Sequence, residues 1–249
     1  MTAAPALAIV IPAHNEAERI GATLDAVRAY LEATAIDAEL IVVDDGSIDA
    51  TVTIAAARAP AASIVHMRTN RGKGAALRAG VRATTARHIL TCDADLATPL
   101  DELPRFIAAL EAGADIVAGS RHIAGARIDH AQPWARRALG GVFRAVTSRV
   151  LRLPVRDAMC GFKAYRGDVA RWLFAQTVID DYASDIELMY LARDRFRVVE
   201  LPVQWRHVDG SRVRIPRAAW RAACDVARVM ARGSTNVTQP PSRAAEEQA

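Results

Sequence analysis

The sequence predicts an α/β fold, with a mainly parallel central sheet flanked by helices. Three observations carry that prediction. Short apolar runs alternate with stretches of helical spacing as far as about Ser120, the pattern of linked βαβ units. Polar clusters directly follow three of those runs, at Pro12–Glu16, Asp44–Ser47 and Asp93–Asp95, and open α/β sheets bind ligands beyond the carboxyl ends of their strands. A chain of 249 residues with 51% hydrophobic content is also long enough to bury one such core.

Taken in order, Ala6–Ile11 is a continuous apolar run, Glu16–Leu31 has helical spacing, and Glu39–Val43 is a second apolar run ending in acids. These read as strand, helix and strand. Ser63–Met67 adds a strand, Lys73–Thr84 a helix and His88–Thr91 a strand, joined by right-handed crossovers. Pro99–Glu111 reads as a helix and Asp115–Ala118 as another strand. Beyond Ser120 the alternation weakens. Trp134–Leu153 reads as an amphipathic basic helix, Ser184–Asp194 as a shorter helix, Val198–Trp205 as a strand and Pro216–Ala231 as an arginine-studded helix. From about Gly233 the chain is polar and aperiodic, so residues 233–249 are expected to be a disordered tail behind a single domain spanning 1–232.

The formal charge of +4 says less than its distribution. Arg121–Arg156 contains eight arginines and one acid, and Arg212–Arg232 six arginines and one acid, so both stretches are candidates for meeting anions. Few aromatics accompany them and the converging acids repel phosphate, which argues against a nucleic-acid-binding protein. Cys92, Cys160 and Cys224 form no CxxC pair, which fits a reducing, cytosolic setting. No uncharged apolar run reaches the roughly 18 residues of a membrane span, and the N-terminus lacks the layout of a signal peptide. Neither a spanning helix nor a signal peptide is therefore expected.

Asp93-Ala94-Asp95 directly follows the strand-like run ending at Cys92. Alternate carboxylates at a strand end suit one hard divalent cation, Mg²⁺ or Mn²⁺, with coordination positions left for diphosphate oxygens. The pattern alone also fits a solvated acidic turn; its position after a strand is what favours metal. In Asp44-Asp45-Gly46-Ser47, Ser47 or Asp49 is expected to cap the next helix, whereas Asp44 and Asp45 are candidates to accept from a base imide or ribose hydroxyl. In the Asn70–Gly74 turn, glycines permit close backbone approach to a nucleotide and Lys73 supplies positive charge. A solvated lysine at a helix start is the plainer alternative.

The segments IVIPAHNEAERI, ELIVVDDGSIDAT, NRGKGAALRAG, DADLATP, GSR and DAMCGFKAY resemble the inverting family 2 glycosyltransferases of the GT-A fold. With SDIELMYLA and VQWRHVDGSRV, they are most similar to the dolichyl-phosphate or polyprenyl-phosphate β-glucosyltransferases, over about Leu7–Arg232. The resemblance implies a metal-dependent transfer of a hexose, leaning to glucose, from a UDP-sugar to a lipid phosphate. It makes residues 6–120 the nucleotide-sugar half and 121–232 the acceptor-facing and membrane-facing half. Pro12, Ala13, Asn15, Glu16 and Asp44 are then expected at uracil and ribose, with Asp45, Lys73, Asp93 and Ala94 nearby and Arg212 at the diphosphate. Asp93 and Asp95 hold the metal. Arg121, Arg136 and Arg137 are candidates for the acceptor phosphate, since arginine suits bidentate phosphate contacts. Asp185 matches the aspartate that serves as base in relatives with protein or sugar acceptors; here it is expected as a base, as a residue that orients sugar or arginine, or as a helix-capping acid beside Ser184. Where related mannosyl transferases carry a metal-binding glutamine, this chain has Ala97, so its metal shell relies more on water and phosphate.

An acceptor phosphate is already anionic and needs alignment more than deprotonation. The 134–153 helix, mixing Trp134, Val146 and Val150 with Arg136, Arg137, Arg144 and Arg149, has a composition suited to an anionic bilayer surface. That implies a cytoplasmic enzyme peripheral to the inner face of the cell membrane. The alternative is the same donor site serving a soluble sugar or phosphorylated metabolite.

Overall fold

A computed structural model describes residues 4–129, 134–206, 224–231 and 238–241. Its centre is a seven-stranded sheet in the order β3-β2-β1-β4-β7-β5-β8. The strands are β1 (Leu7–Ala13), β2 (Ala38–Asp44), β3 (Ser63–His66), β4 (His88–Thr91), β5 (Ile116–Ser120), β7 (Lys163–Arg166) and β8 (Val198–Pro202). β6 (Arg127–Ile128) and β9 (Gln204–Trp205) form a separate parallel pair. Residues that alternate along a strand enter opposite cores. Ala8 and Val10 of β1 join Ile41 and Val43 of β2 on one face, while Ile9 and Ile11 join Leu40 and Val42 on the other. Burial on both faces is why these strands read as unbroken apolar runs.

Helices cover both faces. α1 (Ile20–Thr34), α2 (Thr51–Arg58) and α4 (Leu103–Glu111) lie with the second core, while α3 (Lys73–Arg82), α6 (Gly167–Gln176) and α7 (Ser184–Ala192) lie with the first. α4 buries Leu103, Phe106 and Leu110 at helical spacing, and Phe106 meets Phe162 edge-on with centroids 4.9 Å apart. A Cβ at Gly80 would overlap Val10, so this glycine is what lets α3 lie flat on β1. α5 spans Trp134–Leu151.

Several expectations shift. The first helix starts at Ile20 rather than Glu16, because the Glu16 carbonyl closes a turn on the amides of Arg19 and Ile20. Ser47 does not cap α2; its hydroxyl accepts from the Asn15 amide, and Asp49 accepts from the Thr51 amide. The expected 198–205 strand divides between β8 and β9. β7, like α6 and the short β6, is absent from the sequence reading, and it runs antiparallel to both β4 and β5. It is only four residues long and begins and ends on a cation, so it shows no apolar run. Residues 224–231 are helical, whereas most of the expected Pro216–Ala231 helix and of the tail lies outside the described residues. Within 238–241, the Thr238 hydroxyl accepts a hydrogen bond from the Gln176 side-chain Nε2. Among the described residues, no helix is long and apolar enough to cross a membrane.

Candidate active site

Pairing in register places the ends of β1, β2 and β4 side by side, with Ala13 opposite Asp44 and Leu7–Val10 opposite His88–Thr91. The loops that follow are tied together by backbone groups. Asn15, at φ +54°, donates its amide to Ser47 Oγ at 2.9 Å and accepts the Ile48 amide on Oδ1 at 2.9 Å. The Glu16 amide donates to Thr51 Oγ1 at 2.8 Å, and the Glu16 carboxylate pairs with Arg19 at 2.7 Å. Asp44, buried at the end of β2, accepts from the Ser47 amide at 3.1 Å and meets His66 Nδ1 at 2.7 Å. Asp45 accepts from the backbone amides of Arg71 and Gly72 at 2.8 and 2.7 Å, so it holds the turn before α3.

The glycines of that turn have a packing role. A Cβ at Gly72 (φ +113°) would overlap the Asp180 carbonyl, and one at Gly74 would lie 2.5 Å from Ser184 Cβ. Both therefore let the start of α3 press against the start of α7. That contact carries Lys73 to Asp185.

Asp93 and Asp95 follow β4 and open on a cleft also lined by Arg121, Gly161, Phe162 and Trp205. Between them the Ala94 carbonyl accepts from Thr23 Oγ1 at 2.5 Å, and Asp95 accepts from the Ala97 amide at 3.0 Å. Gly161 has no room for a side chain, because a Cβ would overlap the Asp93 carboxylate. Burial, and then the negative Asp93, push the Asp95 carboxyl above its ordinary value. Asp93 goes the other way: burial opposes its ionisation, but Lys73 at 2.6 Å more than offsets this and holds it low. Two hard oxygen donors on one cleft, one of them repelled by the other, fit a divalent cation. Among the described residues no set of three side chains closes a metal shell.

From Asp93 a line of alternating charges runs inward. Lys73 Nζ lies 2.6 Å from Asp93 and 3.6 Å from Asp185, whose other oxygen accepts from Lys163 Nζ at 2.6 Å. Burial pulls the Lys73 ammonium toward neutrality, but Asp93 and Asp185 reverse this and keep it charged well above the usual lysine range. Asp185 is in the first turn of α7 and makes no capping bond; it is turned to the two lysines. On the other wall, Arg121 forms a two-pronged pair with buried Asp157, at 2.7 and 2.9 Å, and lies 5.5 Å from the centre of the Trp205 ring. Burial disfavours both charges, yet the pair holds the Arg121 pKa up and the Asp157 pKa down. Arg136 and Arg137 belong to α5, while Arg212 lies outside the described residues.

The model of glycosyl transferase family 2 matches residues 8–174, more than half the chain, and takes in β1, β2, β4 and the Asp93–Asp95 pair. The chain belongs to glycosyl transferase family 2. Among its relatives is a dolichyl-phosphate β-glucosyltransferase of Trichomonas vaginalis, 34% identical over 83% of this chain and 65% of that protein. The chain thus spans a little under two thirds of that relative's length. The Drosophila melanogaster dolichyl-phosphate β-glucosyltransferase is 33% identical over 83% of this chain and 69% of its own length. In fold, this glycosyltransferase is similar to glucosyl-3-phosphoglycerate synthase of Mycobacterium tuberculosis, solved with Mn²⁺, UDP and glucosyl-3-phosphoglycerate. The TM-score is 0.69 at 19% identity, over 94% of this chain and 81% of that one. The architecture is accordingly GT-A.

Three residues of this glycosyltransferase's cleft escaped the sequence reading. Asp157, Gly161 and Lys163 all lie within the DAMCGFKAY segment. A lysine flanked by Phe162 and Ala164 in a strand-like segment is the signal that was available, because a cation among apolar neighbours needs a buried partner.

Proposed function

We propose that this family 2 glycosyltransferase transfers glucose, with inversion, from UDP-glucose to a polyprenyl phosphate. The observation that carries this reading is the carboxylate pair Asp93 and Asp95, facing Arg121 across one cleft in a chain about one third identical to dolichyl-phosphate β-glucosyltransferases. Pro12, Ala13, Asn15, Glu16 and Asp44 line the uridine side, and Asp45 acts through the turn it holds. Asp93 and Asp95 hold Mg²⁺ or Mn²⁺, which supplies Lewis-acid neutralisation of the departing diphosphate. Lys73 adds charge beside them, and Arg212 approaches the diphosphate from the other side.

Arg121 is held rigidly by Asp157 and, with Arg136 and Arg137, receives the acceptor phosphate. A phosphate oxygen attacks the anomeric carbon in line with the leaving diphosphate, so an α-linked donor gives a β-linked product. α5 leaves Val146 and Val150 54% and 52% exposed with Arg149 exposed between them, which supports peripheral binding to an anionic membrane on its inner, cytoplasmic face.

Radiolabel from UDP-glucose, and not from GDP-mannose, is expected in organic-extractable polyprenyl phosphate when Mg²⁺ or Mn²⁺ is present. EDTA should abolish it. Label entering only a soluble acceptor, with the lipid untouched, would replace the lipid by a soluble acceptor.

A further inference from the structure

Among the described residues, Lys163 is the one cation of the cleft region with no exposed surface. β7 places it opposite Thr91 of β4 and Ala118 of β5, directly behind the strand end that carries Asp93. Its ammonium donates to Asp185 Oδ1 at 2.6 Å and to the Cys160 carbonyl. Desolvating an ammonium is costly, and an apolar side chain of similar size often serves a core as well or better. Fold stability is therefore a weak reason for a lysine here, and its partner points to another.

Asp185 is 4% exposed, and each of its oxygens faces an ammonium: Lys163 at 2.6 Å and Lys73 at 3.6 Å. A general base needs an oxygen free to reach the substrate proton. Asp185 has none to spare, since both oxygens already face ammonium groups inside the fold. Asp93, Lys73, Asp185 and Lys163 together carry two negative and two positive charges. The formal charges of that line cancel, and Asp95 stands outside it.

We propose that Lys163 is a positioning and specificity-determining residue, one that fixes Asp185 as a paired carboxylate and so restricts transfer to acceptor oxygens that arrive already anionic. The inference rests on the glycosyltransferase reading above and extends it to the chemistry of the nucleophile. An ionised phosphate oxygen forms the new bond to the anomeric carbon while the bond from that carbon to the diphosphate breaks. The electron pair leaves with UDP and no proton moves. An alcohol following the same path would leave a proton that Asp185, with both oxygens facing ammonium groups, is not placed to accept.

The test compares undecaprenyl phosphate, the corresponding polyprenol and glycerol 3-phosphate as acceptors for the wild-type protein, with the linkage of every product determined. Transfer to phosphate oxygen and none to alcohol is expected. Glucose attached through a hydroxyl of any acceptor overturns the inference. Transfer to the phosphate oxygen of glycerol 3-phosphate but not of the lipid moves the acceptor from membrane to solution and leaves the role of Lys163 standing. No transfer to any acceptor while UDP-glucose binds normally overturns the inference together with the reading it rests on.

Variants then locate the effect. Lys163→Met leaves Lys73 shared between two carboxylates, so the acceptor KM should rise about tenfold or more through repulsion of the phosphate, while the UDP-glucose KM changes less than about twofold. Lys163→Met/Asp185→Asn restores the charge balance and should recover most of the acceptor KM. Equal losses for donor and acceptor, or no recovery in the double variant, would reduce Lys163 to a structural part. Should Lys163→Met fail to fold, Asp185→Asn alone decides: a loss of kcat below about tenfold supports a positioning role, and a loss of 10³-fold or more, the scale expected on removing a base, contradicts it.

Discussion

Around Asp44 and Asp45 the carboxylate oxygens are held largely by backbone amides, those of Ser47, Arg71 and Gly72, whereas around Asp157 and Asp185 they are held by the tips of arginine and lysine side chains. The two sides of the same cleft are thus built from different materials. Backbone donors come with the chain path, so the β1–β2 side keeps its geometry whatever side chain the donor residue carries. Around Asp157 and Asp185 the geometry depends largely on both charges of each pair, with the Arg121 backbone amide as a further donor to Asp157. Substitutions that exchange one kind of support for the other sharpen this contrast.

The largest effect on stability is expected from Asp157→Asn, which leaves Arg121 without its buried partner at a cost of about 3 kcal/mol. Urea unfolding measures it. The pH dependence follows from the depressed Asp157 pKa. Its contribution is fully present above the unfolded value of about 3.9 and is lost as pH falls through the lower folded value, so wild type and variant should converge in strong acid and differ at neutrality. A constant difference at all pH values would show that the pair is not held by charge.

Gly161→Ala comes next. Its Cβ displaces the Asp93 carboxylate, and a misplacement of that order costs roughly 10²-fold in kcat/KM, with little change in melting temperature. Unaltered kcat/KM would mean that Asp93 does not need its present position. The smallest effect belongs to Arg71→Ala. The donor to Asp45 is the backbone amide of Arg71, which the variant keeps, and only the exposed Arg71–Asp180 pair is lost. Stability should change by less than about 1 kcal/mol. A loss approaching that of Asp157→Asn would erase the distinction between the two sides.

The same distinction explains what could be read from the sequence. β1, β2 and β4 lie between two cores and show as apolar runs, and each delivers its polar cluster immediately afterwards, so Asp44, Asp93 and Asp95 are visible as strand-end acids. β7 hides behind Lys163 and Arg166, and a mainly parallel pattern gives no cue for a strand inserted antiparallel between β4 and β5. The partners of the charged wall are remote in the chain, 36 residues apart for Arg121 and Asp157 and 22 for Lys163 and Asp185. Nothing local announces such pairs. Gly72 and Gly74 were visible as glycines, but their use depends on α7, which only the folded chain brings beside them.

The central claim is that Asp93 and Asp95 present the donor diphosphate with a bound cation. Calorimetric titration of UDP-glucose into the wild-type protein and Asp95→Ala, each with and without Mn²⁺, tests it most directly. Mn²⁺ should tighten binding to the wild type by about tenfold or more, the scale of a lost supporting contact at a metal site, and should leave the variant unchanged. Equal binding with and without the cation in the wild type, or the same tightening in Asp95→Ala, would contradict the account.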